Sequence, residues 1–251
     1  MMPIGENKTS DIQDETYHHI ATFTQNKNWI ATRRQQLETF GVTSLAEALP
    51  ASIRETIAMA GRGALEGHGI RRGLTKYETG DTPRRMRNVR KDDIDASAPI
   101  ITQIYHSSIL RDLLTSIIAE TVLLCPYEPE QYLITRLEYE GDTQGWHIDD
   151  YALALNWVID SCPTDLGGFL QLFPNSIPSA TNSIAKIHYE RSLYNYPSLP
   201  LDVYLIRTDR NLHRVYPLQA ATLRSVVNMT FAVSADFHKH INHRSIELLW
   251  G

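Results

Sequence analysis

The sequence predicts an α+β protein in which a jelly-roll core (a double-stranded β-helix of cupin type) carries a helical N-terminal region packed on it. Two observations lead there. Up to about residue 120 the apolar residues recur at helical spacing, whereas beyond it they fall into short β-branched and aromatic runs separated by Gly, Pro, Asn and Asp. A third sets the scale: 251 residues with 42% apolar content suffice for one substantial core. We therefore expect residues 1–120 as a mainly helical region and 121–251 as the β-helix core of one integrated domain.

In chain order, Trp29, Ile30, Leu37 and Phe40 mark a helix that stops at Gly41. Ser52 and Glu55 stand in capping-box spacing ahead of Ile57 and Met59 and predict the start of the next. After Ser107 and Ser108, the stripe Ile109, Leu110, Leu113, Leu114, Ile117 and Ile118 predicts a last long helix. Strands are then predicted at Tyr132–Tyr139, Tyr151–Ile159, Phe169–Phe173, Val203–Ile206, Val215–Leu218 and Ser225–Val233. The polar, Pro- and Tyr-rich stretch from Ser176 to Pro200 reads as an insertion or lid.

Composition narrows the function classes. Twenty-four Lys and Arg against 29 Asp and Glu give a net charge of -5, which offers nucleic acid or an acidic membrane no global attraction. The N-terminus lacks a basic and apolar leader pattern, and no run approaches a membrane span, so a cytoplasmic location is expected. Cys125 and Cys162 are too few for a thiolate cluster and read as reduced.

The chemistry concentrates in the strand-rich half. In Gly145-Trp146-His147-Ile148-Asp149 two metal-binding side chains stand two apart, and strand alternation directs both to one face. A third ligand must come from another strand, and His213, 66 positions after His147, opens one in Leu212-His213-Arg214-Val215. Two imidazoles and one carboxylate leave adjacent positions open on iron(II), as activation of O2 beside a bidentate co-substrate requires. Arg224, eleven residues beyond His213, offers a guanidinium for the distal carboxylate of 2-oxoglutarate. An H-x-D recurs by chance and a strand His is often a core residue. The spacing of all four residues around a Gly167-Gly168 turn is what singles them out.

The segments Thr82-Pro83-Arg84-Arg85-Met86, Gly141-Asp142-Thr143-Gln144-Gly145-Trp146-His147, Gly167-Gly168-Phe169-Leu170 and His213 to Thr230 resemble the iron(II)/2-oxoglutarate oxygenases. Within them they resemble the group containing the carrier-free amino-acid halogenases and their hydroxylase relatives, over roughly Thr82 to Trp250. In the halogenases a Gly at the position of Asp149 vacates a site for chloride, so the resemblance implies hydroxylation here. It also implies a free amino acid as small-molecule substrate. Arg84, Thr230 and Trp250 would lie near its backbone carboxylate and amine, and Glu130, Gln144, Asp150 and Asn228 towards its side chain or the iron. Lysine-acting members carry His where this chain has Gln144. Glu130, for which Glu128 is the alternative, and Asp150 form a carboxylate pair that needs a cationic partner, which implies a basic or polar amino acid.

Competing readings are concrete. A desaturase or halogenase would use the same cofactors, and a cupin-like binding protein would hold a metal without activating oxygen, although it has no use for Arg224. Arg84, Arg85, Arg87, Arg90 and Lys91 also fit a solvated basic stretch, Trp146 and Tyr151 fit core aromatics, and Trp250 reaches a site only if the tail folds back. Histidines 238, 240 and 243 read as an exposed tail in which no nearby carboxylate or Cys completes a metal site.

Overall fold

The structure is a computed structural model that describes residues 5–76, 82–176, 187, 192–241, 243, 247, 249 and 250. Most of the expected lid segment lies outside the described residues. Six helices are seen among them: α1 (Gly5–Gln25), α2 (Lys27–Phe40), α3 (Ala51–His68), α4 (Lys91–Ser97), α5 (Pro99–Tyr105) and α6 (Ser108–Ile118). The Asn26 side chain caps α2 by accepting the Trp29 N–H at 3.1 Å, and Gly41 closes it at φ 77°, a left-handed conformation that favours glycine. The capping box expected at Ser52 does not form. α3 begins one residue earlier behind Pro50, so Ser52 is already helical and makes no cap bond.

Twelve strands form one antiparallel sheet. They are β1 (Val42–Ser44), β2 (Ile70–Lys76), β3 (Thr82–Val89), β4 (Val122–Leu124), β5 (Tyr132–Leu137), β6 (Thr143–His147), β7 (Leu153–Asp160), β8 (Leu170–Phe173), β9 (Tyr194–Tyr196), β10 (Val203–Arg207), β11 (Leu212–Val215) and β12 (Arg224–Val233). The path runs β1-β10-β7-β12-β5-β3-β6-β11-β8-β9, with β2 against β3 and β4 against β12. β3 pairs with β5 through residues 87–89 and with β6 through residues 84 and 85, and so joins the two halves of the roll. The sheet therefore does not respect a boundary at residue 120, because β1, β2 and β3 come from the mainly helical region. The strand expected at Val215–Leu218 instead ends at Val215, which puts His213 inside it.

Period-two alternation decides what each face does. On β7, Leu153, Leu155, Trp157 and Ile159 pack with Ile53, Ile57 and Leu65 of α3 in the main core, as do Val227, Met229, Phe231 and Val233 of β12. The alternate residues turn into the roll, where Ala154, Val158 and Val226 meet Leu170, Leu172, Tyr204 and Ile206. Helices cover the outer face of these strands, and the inner face is buried apart from the half-buried Asn228 and Thr230.

Candidate active site

His147 and His213 are directly opposed partners on β6 and β11, with ring centroids 4.1 Å apart. Each Nδ1 faces the carbonyl oxygen two residues upstream, His147 to Gly145 at 2.6 Å and His213 to Asn211 at 2.8 Å. A carbonyl only accepts, so each Nδ1 must carry the proton, and each Nε2 presents a lone pair. Asp149 receives both: its Oδ1 lies 3.4 Å from His147 Nε2 and its Oδ2 3.7 Å from His213 Nε2. The three donor atoms fall within 4.8 Å of one another, a compact set able to hold one metal ion.

Local structure arrives at this set by a route other than simple alternation. β6 ends at His147, so Asp149 stands in the following loop, where its N–H donates to the Thr208 carbonyl at 3.4 Å. Between β11 and β6 the register shifts, because His213 pairs with His147 but Val215 pairs with Gln144. The extra residue in β6 is a β-bulge, and it brings Gln144 and His147 to the same side although they are three apart. Gln144 Nε2 lies 3.3 Å from His147 Nε2 as a result. Gly145 sits in this bulge, where a Cβ would stand 2.7 Å from Thr82 Cβ and 2.8 Å from the Pro83 carbonyl oxygen. Only glycine lets β3 approach this closely.

Arg224 is 2% exposed and deep in the same pocket. Its Nη2 donates to Tyr204 Oη at 3.0 Å, its buried Nε has no hydrogen-bond partner, and no ion pair of it is seen among the described residues. A buried guanidinium without a counter-ion is costly, so the site is built for an anionic group. Its strand neighbours at alternate positions, Val226, Asn228 and Thr230, line the same pocket. Asn228 Nδ2 donates to Asn156 Oδ1 at 3.2 Å, and Thr230 Oγ1 to Asn228 Oδ1 at 3.4 Å, giving a polar rail along the wall.

Of the other residues singled out in the sequence, Arg84, Glu130, Gln144 and Asp150 also line the pocket. Glu130 is buried whereas Glu128 is exposed, which separates those two alternatives. In the basic stretch, Arg87 pairs with Glu138, Arg90 with Asp93 and Lys91 with Asp95, leaving Arg84 as its member at the pocket. Trp250 is not brought there. It packs beside Met86, Leu137 and Leu249, with Arg72 5.7 Å above its ring. Trp146 is the core aromatic expected, packed on Phe173, while Tyr151 is buried and also lines the pocket.

Sequence reasoning missed three residues here. Asn156 had a usable signal, as the one polar residue inside the apolar run Leu153–Ile159. Tyr204, which fills the space beside Arg224, had none. The third is His243: its tail folds back, so that His243 Nδ1 lies 3.5 Å from Glu130 Oε1, and Asp150 completes a second compact group.

An antiparallel roll with two histidines and one carboxylate at its mouth and a buried arginine on its wall is the architecture of the iron(II)/2-oxoglutarate oxygenases. Iron, 2-oxoglutarate and O2 are the cofactor and co-substrates of that class, and the donor set and Arg224 fit them. The family model of Halogenase D matches residues 24–251, and the chain belongs to that family. No curated protein matches it. Among solved structures it is similar to AviO1 from Streptomyces viridochromogenes Tue57, at TM-score 0.62 and 17% identity over 82% of this chain and 95% of that one. It is also similar to a prolyl hydroxylase from Trichoplax adhaerens in complex with a hypoxia inducible factor peptide fragment, at TM-score 0.60 and 15% identity over 84% and 92%. EctD from S. alaskensis, solved with 2-oxoglutarate and 5-hydroxyectoine, matches at TM-score 0.60 and 14% identity over 82% and 77%. At these identities the likeness is one of fold.

Proposed function

We propose that the protein hydroxylates an unactivated C–H bond of a free amino acid with a basic or polar side chain. His147, Asp149 and His213 hold iron(II), and Arg224 pairs with the distal carboxylate of 2-oxoglutarate. Iron(II), when bound, supplies the centre at which O2 is reduced while 2-oxoglutarate is decarboxylated to succinate. The protein's own residues supply geometry. The two Nδ1–H bonds keep both imidazoles in the ligating tautomer, burial of His147, His213 and Arg224 limits water, and the substrate is held so that one carbon stands nearest the metal.

The observation that carries the outcome is Asp149, whose two oxygens each face one histidine Nε2. A carboxylate there fills the position that a halide would take, which favours hydroxylation although the family is named for a halogenase. The substrate class rests on pocket-lining charges of both signs, Arg84 suited to a carboxylate and the Glu130/Asp150 pair to a cation. No described helix is long and apolar enough to cross a membrane. With a net charge of -5 we propose no nucleic-acid partner and a cytoplasmic setting.

The test is a screen of free L-amino acids with iron(II), ascorbate, 2-oxoglutarate and abundant chloride. We expect one to give succinate together with a gain of one oxygen and no chlorinated product. A chlorinated product from the unmodified protein would remove Asp149 from the ligand set, and succinate formation indifferent to every amino acid would sink the substrate class.

A further inference from the structure

β5 sends Tyr132 and Ile134 into the helical core and, by alternation, turns Leu133 and Thr135 into the pocket. Thr135 is 3% exposed and has no part in the chemistry above. It stands opposite Val226 of β12, midway along the wall between Arg224, which pairs with Leu137, and Asn228, which pairs with Leu133. On its other side its partner in register is Asn88 of β3, 0% exposed, whose Nδ2 lies 3.0 Å from Thr135 Oγ1 and 3.5 Å from the Ile134 carbonyl oxygen. That carbonyl can only accept, so the carboxamide nitrogen belongs on this side and Asn88 donates to the threonine oxygen. Asn88 Oδ1 is thereby left buried without a partner, which is the lesser cost, because the reverse orientation would orphan an amino group and set two carbonyl oxygens against each other. With Asn88 taking a lone pair of Oγ1, the hydroxyl proton must be given elsewhere, and no acceptor for it is seen among the described residues. The pocket wall thus carries a buried hydroxyl held as a donor.

We propose that Thr135 is a co-substrate-binding residue whose hydroxyl donates a hydrogen bond to an oxygen of 2-oxoglutarate in the stretch of pocket beside Arg224. Every oxygen of 2-oxoglutarate accepts at neutral pH and none donates, so a fixed donor matches it. The ammonium group of an amino acid only donates and finds no acceptor in this hydroxyl. Asn88 is then a positioning residue, which orients the hydroxyl before the ligand arrives, so that binding needs no reorientation. The inference rests on the reading of Arg224 as the 2-oxoglutarate clamp, and Arg224→Ala is therefore carried through the same test.

The experiment is calorimetric titration of 2-oxoglutarate into the iron(II)-loaded protein under argon, with no amino acid present, in wild type, Thr135→Val, Thr135→Ser and Arg224→Ala, with urea midpoints measured alongside. Thr135→Val keeps the shape and loses the donor; it should bind 2-oxoglutarate about tenfold or more weakly, whereas Thr135→Ser should return to within about threefold of the wild type. A threonine that only pairs with Asn88 would move the urea midpoint and leave the affinity unchanged. Equal affinity in Thr135→Val and wild type overturns the proposal, and so does an equal loss in Thr135→Val and Thr135→Ser. Should Thr135→Val fail to fold, Thr135→Ala against Thr135→Ser decides by the same difference. Weakened binding in Arg224→Ala beside undiminished binding in Thr135→Val removes Thr135 alone, whereas a wild type that does not bind 2-oxoglutarate removes the proposal and the clamp together.

Discussion

At the scale of single residues, the metal set depends on which nitrogen of each histidine carries a proton. Because Gly145 and Asn211 offer carbonyls to the two Nδ1 atoms, both Nε2 atoms are ready to ligate without a tautomer change. His213→Ala removes one of three donors, and we expect loss of iron from stoichiometric to background content and turnover down by about a thousandfold or more, with the far-ultraviolet spectrum unchanged. Iron content and activity measured on the same sample check this, and a fully active variant would sink the ligand assignment. Arg224 is a different case, since Tyr204 takes only its Nη2 and the charged partner we propose for it is the co-substrate. Arg224→Ala should raise the 2-oxoglutarate concentration for half-maximal turnover by about 100-fold, equivalent to about 3 kcal/mol of a desolvated charged contact. An unchanged requirement would show that another cation serves as the clamp.

At the scale of elements, the β5–β6 connection decides whether the bulge in β6 is held in place. Asp142, 1% exposed, accepts the backbone N–H groups of Glu138 at 2.9 Å and Tyr139 at 3.1 Å and pairs with the Arg71 guanidinium of β2. Burial alone would raise its carboxyl pKa, but Arg71 and the two N–H groups outweigh burial and lower it. A carboxyl depressed on folding contributes stability that is complete above its unfolded pKa, about 4, and is lost as pH falls through the folded value. Asp142→Asn should therefore cost about 1–3 kcal/mol at neutral pH in urea titrations. It should also lose less than the wild type as pH falls below about 4. Parallel pH profiles for the two proteins would assign the acid sensitivity to other groups.

At the scale of the molecule, helices and pocket occupy opposite faces of the same strands. Ile57 of α3 is fully buried in the core that covers the outer face of β7 and β12, whose inner faces carry Asn156, Asn228 and Arg224. Ile57→Ala should destabilise the fold by about 2–4 kcal/mol, seen as a lower urea midpoint, while iron affinity under native conditions stays within about twofold. A large loss of iron affinity would mean that the helical layer adjusts the site as well as supporting it.

The division of faces was legible in the sequence, because period two and period 3.6 are local patterns that survive in any tertiary setting. That His147, Asp149, His213 and Arg224 share one pocket was legible for a similar reason, since residue type and spacing are properties of the chain itself. Phase was not. Strict alternation separates Gln144 from His147, and only the bulge at Gly145, set by pairing with β11 and by the close approach of β3, returns them to one side. Long-range return of the chain was not legible either. Nothing local distinguished Glu130 from Glu128, placed Tyr204 beside Arg224, or brought the tail back to set His243 against two carboxylates, because those contacts join segments far apart in sequence and exist only once register and closure of the roll have fixed where each strand ends.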